Sequence, residues 1–153
     1  MASNATTVAL ERSLPASPAA LSRLRGLVRS FASSQCGADP DRASLIALAV
    51  TEAASNVVRH AYPDRPGMIN LHAESEDDHL RIRIADAGVG LGAPSPERGL
   101  GAGLRIMQGL AETRLVSEPG RGTAVELVFC MPRGEAGIRP RRESAAPPPR
   151  PPR

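Results

Sequence analysis

Glu52-Ala53-Ala54-Ser55-Asn56-Val57-Val58-Arg59-His60 is the stretch on which the fold turns. It closes a long apolar-periodic segment that starts at Asp39-Pro40, an N-cap carboxylate followed by proline at the first helical position. The spacing predicts one helix from about 40 to 61. At ~100° per residue, Ile46, Val50, Ala53 and Val57 fall within about 60° of one another and form its buried stripe. Glu52, Asn56 and His60 make a second stripe roughly 80° to one side, where a core meets an opening.

Outward from this helix, two glycine-rich motifs follow in order: Asp86-Ala87-Gly88-Val89-Gly90, then Gly99-Leu100-Gly101-Ala102-Gly103-Leu104. The first ends an alternating run, His79-Leu80-Arg81-Ile82-Arg83-Ile84, that reads as a strand with one face toward helices and the other toward water. Met68–Ala73 reads as its partner across the acidic Glu74–Asp78 reversal, after a Pro63–Gly67 turn. The second motif opens a helix of about 102–111, with Leu104, Met107 and Leu110 on its apolar face. Residues 87–100 form a loop long enough to be functional. Arg114–Ser117 and Thr123–Met131 are a final strand pair around Pro119-Gly120-Arg121-Gly122. Upstream, Val8–Leu14 alternates as a strand, and Ser17 is placed to cap a helix that begins at Pro18 and stops near Cys36-Gly37.

Composition narrows the chemistry. The 153 residues are enough for one domain, and with only 2% aromatic residues its core rests on Leu, Ile, Val and Ala, which disfavours base stacking. All 19 basic side chains are Arg and none is Lys. That excludes a P-loop and Schiff-base chemistry, so any phosphate charge must meet Arg, backbone N–H groups or a metal. Residues 133–153 carry six Arg and two Glu, a net +4, so of the overall +3 the first 132 residues hold −1. Basicity is a property of the tail, and direct nucleic-acid binding by the body is not expected. Cys36 and Cys130 fit neither a metal spacing nor a disulfide framework, and no stretch approaches the roughly 18 apolar residues of a spanning helix. The expectation is a cytoplasmic protein without membrane contact. It divides into a flexible N-terminus (1–7), a folded domain (8–132) and a disordered Pro/Arg-rich tail (133–153).

Glu52 and Asn56, four apart, project from one helical face. A carboxamide oxygen suits Mg²⁺, which keeps several waters and binds through one or two protein groups plus substrate phosphates, leaving the carboxylate to orient or deprotonate a hydroxyl. The bland alternative is an exposed polar helix edge. Asp86 at a strand end can accept a hydrogen bond from an exocyclic amine, as adenine would offer, while Gly88 and Gly90 permit close backbone approach; a plain tight turn is the alternative. Gly99, Gly101 and Gly103 before a helix present free N–H groups suited to phosphate, and the absence of a directly preceding strand rules out a dinucleotide-binding reading. Arg98 and Arg105 flank the loop and either offset phosphate charge or are solvated. His60 has three readings, a ligand contact, a proton carrier or a cap for the helix end, of which the cap is preferred. The Thr123 hydroxyl either reaches a base or its water, or belongs to a β-branched strand residue.

Taken together, the three motifs resemble those of the Bergerat-fold, histidine-kinase-like ATPases, and among them the anti-sigma-factor serine/threonine kinases of bacteria. Glu52-x-x-x-Asn56-x-x-x-His60-Ala61-Tyr62 is similar to their helix motif, Asp86-x-Gly88-x-Gly90 to their adenine motif, and Gly99-x-Gly101-x-Gly103-Leu104 to their lid glycines. Gly122-Thr123 is similar to their terminal motif, and the likeness spans about 8–131. It implies an α+β fold, a two-layer α/β sandwich whose mixed, mostly antiparallel sheet is covered on one face by helices. It also implies ATP and Mg²⁺ as cofactors, with Glu52 as general base and Asn56 as metal ligand. Asp86 would read adenine, Gly88, Gly90, Gly101 and Gly103 would be close-approach positions, and Arg98, Gly99, Leu104 and Thr123 would complete the nucleotide site. The implied partners are a sigma factor, held inactive, and an anti-anti-sigma (STAS-type) protein phosphorylated on serine, with a homodimer as the implied assembly. A full sensor kinase is not expected, since every His lies within 60–79 and only a short segment precedes Glu52.

Overall fold

The structure, a computed structural model, describes residues 7–76, 78–92 and 100–131. The expected loose N-terminus and Pro/Arg tail, and the lid residues Arg98 and Gly99, therefore lie outside the described residues. Strand β1 (Val8–Pro15) is followed by helix α1 (Pro18–Cys36) and helix α2 (Pro40–Asn56), which runs into a π-helical turn at Val57–Ala61. A hairpin of β2 (Met68–Glu76) and β3 (His79–Ala85), helix α3 (Leu100–Leu110) and a second hairpin of β4 (Glu112–Glu118) and β5 (Gly122–Cys130) complete the order.

The five strands form one sheet in the order β1-β2-β3-β5-β4, and every neighbouring pair is antiparallel. The expected two-layer α+β sandwich is present, with no parallel pairing among the described residues. Alternation decides which side of each strand is covered. Ile69, Leu71 and Ala73 of β2, Leu80, Ile82 and Ile84 of β3 and Val125, Leu127 and Phe129 of β5 are buried toward the helices. They meet Leu24, Val28 and Phe31 of α1 and Ile46, Val50 and Ala53 of α2 in one core. Fully burying a Leu, Ile or Val side chain contributes about 1.5–3 kcal/mol, so a mostly aliphatic core that includes only Phe31 and Phe129 as aromatic residues suffices. On the opposite face the register lines up Glu11, His72, Arg83, Glu126 and Arg114 in one cross-strand row, each Glu beside a basic side chain where the sheet meets water.

Asp39 caps α2 as its position demands, its Oδ1 accepting the Arg42 N–H at 2.8 Å. Ser17 does not use its side chain; its backbone carbonyl instead accepts the Ala20 N–H at 3.0 Å. Gly37 ends α1 in the left-handed region at φ +66°, where a Cβ would be strained. The single helix expected over 40–61 divides after Asn56, because its last turn widens to the π form that recurs at functional sites. The Ala61 carbonyl at the end of that turn accepts the Val89 N–H at 2.9 Å, tying the helix end to the loop after β3.

Candidate functional site

A cavity of about 800 Å³ opens between α2, α3 and the ends of β3, β4 and β5. That size lies within the range of about 300–1,000 Å³ seen for small-molecule sites, and the lining has their mixed character. Val57, Ile84, Met107 and Val125 supply apolar walls, Asn56, His60, Asp86, Ser117 and Thr123 the polar groups, and Gly101 and Leu104 of α3 part of the rim.

Asp86 follows β3 directly and is held by its own turn. Its N–H donates to the Thr123 carbonyl at 2.9 Å, and its Oδ1 accepts the Gly88 N–H at 2.8 Å. Burial pushes the carboxyl above its ordinary value, opposed by hydrogen bonds from the backbone of Gly88 and Thr123. The rest of the turn is equally engaged. The Ala87 N–H donates to the Tyr62 hydroxyl at 2.9 Å, the Val89 N–H to the Ala61 carbonyl at 2.9 Å and the Leu91 N–H to the Ser117 Oγ at 2.7 Å. Arg65 adds a bond from Nη2 to the Ala87 carbonyl at 3.0 Å. Asp86 is thus presented on a turn pinned through the N–H groups of Asp86, Ala87, Gly88, Val89 and Leu91, which is what preorganised recognition requires.

Two glycines shape this turn by contact with other chain segments. A Cβ at Gly88 would run into the Ala61 carbonyl, and one at Gly122, where φ is +102°, into the Asp86 carbonyl. Gly88 packs against the π turn and is not among the residues lining the cavity, so its close approach is to the chain itself. Gly90, at φ +76°, does line it.

On α2, Asn56 reaches the cavity and Glu52 does not. The half-buried Glu52 is turned toward α3, where its Oε2 lies 3.0 Å from the position a Cβ on Gly103 would take. The alternating glycines of α3 therefore divide their work: Gly101 borders the cavity and Gly103 makes room for Glu52. Arg105 is exposed and outside the lining. Among the described residues no cluster of three or more His, Cys, Asp or Glu side chains could hold a metal. A hard cation here would be held through the Asn56 carboxamide and the ligand's own oxygens, which fits Mg²⁺ on a phosphate ligand.

Against known families, residues 14–129 match the histidine kinase-like ATPase domain. The chain belongs to that family. Among solved structures it is similar to the RsbU and RsbW domains of Rv1364c from Mycobacterium tuberculosis, with 23% identity and a TM-score of 0.60 over 81% of this chain. The match covers 32% of that chain, so this protein spans about a third of its length, and the likeness shows the fold. No curated protein is matched.

For a histidine kinase-like ATPase domain, whose family description implies ATP binding, the cavity brings together Asn56, Asp86, Gly90, Gly101, Leu104 and Thr123 from the motifs. It also contains residues that the motifs left out. Ser117 stands opposite Thr123 in the β4–β5 register, and their hydroxyls lie 3.0 Å apart. Outside the lining, Tyr62 of the helix motif fixes the turn by donating to the Met68 carbonyl at 2.8 Å while accepting from Ala87. Met107 and Leu115 add apolar wall. Ser117 and Leu115 sit in a short alternating strand with no local signal of a site; only the register carries them to the cavity. Among the described residues no helix is long and apolar enough to cross a membrane.

Proposed function

We propose that this protein is an ATP-binding, cytoplasmic anti-sigma regulatory factor that phosphorylates a serine of a STAS-type anti-anti-sigma partner and otherwise holds a sigma factor inactive, as a homodimer. The observation that carries the nucleotide part is Asp86, a half-buried carboxylate on a turn pinned by hydrogen bonds from five of its backbone N–H groups, at one side of an apolar cavity that has Asn56 at another. The regulatory part is supported by the resemblance of the whole motif series to the serine/threonine kinases of that class.

In this reading Asp86 accepts a hydrogen bond from the adenine amine, and the walls of Val57, Ile84, Met107 and Val125 exclude water from the base. Asn56 ligates Mg²⁺, which supplies charge neutralisation at the phosphates when bound. Glu52 takes the proton of the partner serine as that oxygen bonds to the γ-phosphorus and the bond to the β,γ-bridging oxygen breaks, leaving ADP. Incubation with labelled ATP and a candidate STAS-type protein tests it: label on the partner supports the kinase, and ATP binding without transfer overturns it.

One observation favours a second reading, an ATP-dependent protein-binding switch without transfer. Glu52 lies against Gly103 and outside the cavity lining. In a switch, Glu52→Ala leaves ATP-dependent partner binding intact and there is no transfer to lose; in a kinase, the same change keeps nucleotide binding and abolishes transfer.

A further inference from the structure

We infer that Ser117 is a positioning residue of the nucleotide site: it holds the Thr123 hydroxyl so that the Thr123 proton faces the cavity and is donated to the ring nitrogen beside the exocyclic amine of the base. The inference rests on the ATP reading above and gives a role within the same site to a residue outside the motifs. Ser117 is the register partner of Thr123 across β4 and β5, and both half-buried residues line the cavity. Three groups meet at its one hydroxyl. The Leu91 N–H donates to Ser117 Oγ at 2.7 Å, Thr123 Oγ1 lies 3.0 Å away and the Gly122 carbonyl 3.4 Å.

A serine hydroxyl has one proton to give and two lone pairs to fill. Leu91 occupies one lone pair, so the direction of the single proton decides the rest. An O–H···O bond is ordinarily about 2.5–3.0 Å long, a range that Thr123 meets and the Gly122 carbonyl does not. Ser117 therefore donates to Thr123, and the Thr123 proton is left for the cavity. Were Ser117 turned to the Gly122 carbonyl instead, Thr123 would spend its proton on Ser117 and offer a ligand only a lone pair. The backbone seats Asp86 at the same wall, its N–H donating to the Thr123 carbonyl at 2.9 Å. Asp86 Oδ1 already accepts the Gly88 N–H, which leaves Oδ2 to a ligand. The wall thus offers an acceptor and a donor together. Adenine matches it with a donating amine beside an accepting ring nitrogen, whereas guanine and hypoxanthine carry a carbonyl beside a ring N–H and would leave both groups unpaired.

The test is calorimetry on the full chain with Mg²⁺ present and three nucleotides: ATP, 1-deaza-ATP, in which that ring nitrogen is replaced by C–H, and 7-deaza-ATP, in which the same replacement is made on the far side of the base. Wild type should bind 1-deaza-ATP roughly three- to tenfold more weakly than ATP, the scale of one hydrogen bond between neutral groups. In Ser117→Ala that ratio should fall toward one, while the ratio of ATP to 7-deaza-ATP stays at its wild-type value. Ser117→Thr keeps the hydroxyl and should keep the wild-type ratios. A merely structural serine would lower the affinity for all three nucleotides equally in Ser117→Ala, and that result overturns the inference. So does a wild-type chain that binds ATP and 1-deaza-ATP equally, or a folded Ser117→Thr chain that has lost the 1-deaza penalty; each leaves the ATP reading standing. A wild-type chain that binds none of the three overturns both.

Discussion

A carbon added to Gly103 would stand 3.0 Å from Oε2 of Glu52, so the proposed base and the first turn of α3 share one narrow space. This contact couples α3, which borders the cavity, to the residue proposed for proton transfer. A Cβ at position 103 requires the Glu52 carboxylate to give by a few tenths of an ångström.

Gly103→Ala is therefore expected to separate stability from chemistry. Replacing a helical Gly by Ala favours the helix by about 1 kcal/mol, which offsets the crowding because Oε2 is the far end of a flexible side chain. The thermal midpoint should hold or rise and ATP affinity should stay the same. Transfer to the partner should fall at least about tenfold, since a displaced base loses its alignment. Unfolding curves beside a transfer assay check this, and unchanged transfer would remove Glu52 from the chemistry.

Asp86→Asn is expected to weaken ATP binding by about tenfold or more, the scale of a hydrogen bond to a charged group, yet to stabilise the empty protein. The sign follows from the raised carboxyl. The folded state holds this proton more tightly than the unfolded chain, so stability falls as pH rises from the ordinary value of 3.8 through the folded one and is level above it. Denaturant titrations of wild type and variant between pH 3 and 7 should show the variant lacking that decline. A variant less stable than wild type at neutral pH would count against the burial argument.

His72 on the outer face of the sheet loses stability in the same direction, as pH rises, but in a higher pH range. Its Nε2 lies 2.8 Å from Glu74 Oε1 and its Nδ1 3.0 Å from Glu11 Oε1. The hydrogen bond to Glu74 chiefly raises its pKa, burial opposes, and Glu11 adds to the rise. Stability from this cluster is fully present below the ordinary value of 6.5 and is lost as pH rises through the higher folded value. The groups are partly exposed, so the effect is small and salt-sensitive. The difference in unfolding free energy between pH 6 and 9 should shrink in His72→Gln; an unaltered difference would assign it elsewhere.

Gly122→Ala and Gly101→Ala should part company. At Gly122 the added carbon meets the Asp86 carbonyl at φ +102°, whereas at Gly101 it meets nothing within 4 Å. The first should cost about 2 kcal/mol or more and disturb the Asp86 turn. The second should leave folding intact. Thermal unfolding of both variants decides it, and equal stability would show that the turn relaxes around the clash.

Much of this was legible in local spacing. Period-two runs such as Leu80-Ile82-Ile84 and the start signal Asp39-Pro40 specify elements because they depend only on neighbouring residues. The widening of 57–61 was not legible, since its final carbonyl bonds Val89, a residue outside the helix. The glycines show the same division. A sequence marks Gly88, Gly90, Gly101 and Gly103 alike as close-approach positions, whereas the fold sets Gly90 and Gly101 at the cavity, Gly88 against Ala61 and Gly103 against Glu52.

By itself, the sequence determined the elements, the alternation that buries one face of the sheet, the order of the three motifs and the absence of lysine from the phosphate chemistry. Tertiary structure decided what each motif residue faces: Asp86, Asn56 and Thr123 on one cavity, Ser117 brought to it by register, Glu52 turned to Gly103 and His60 Nε2 left without a partner. The reason is that side-chain periodicity places a residue on a face of its own element. What stands opposite that face depends on strand register and on chain segments tens of residues away, which no local pattern encodes.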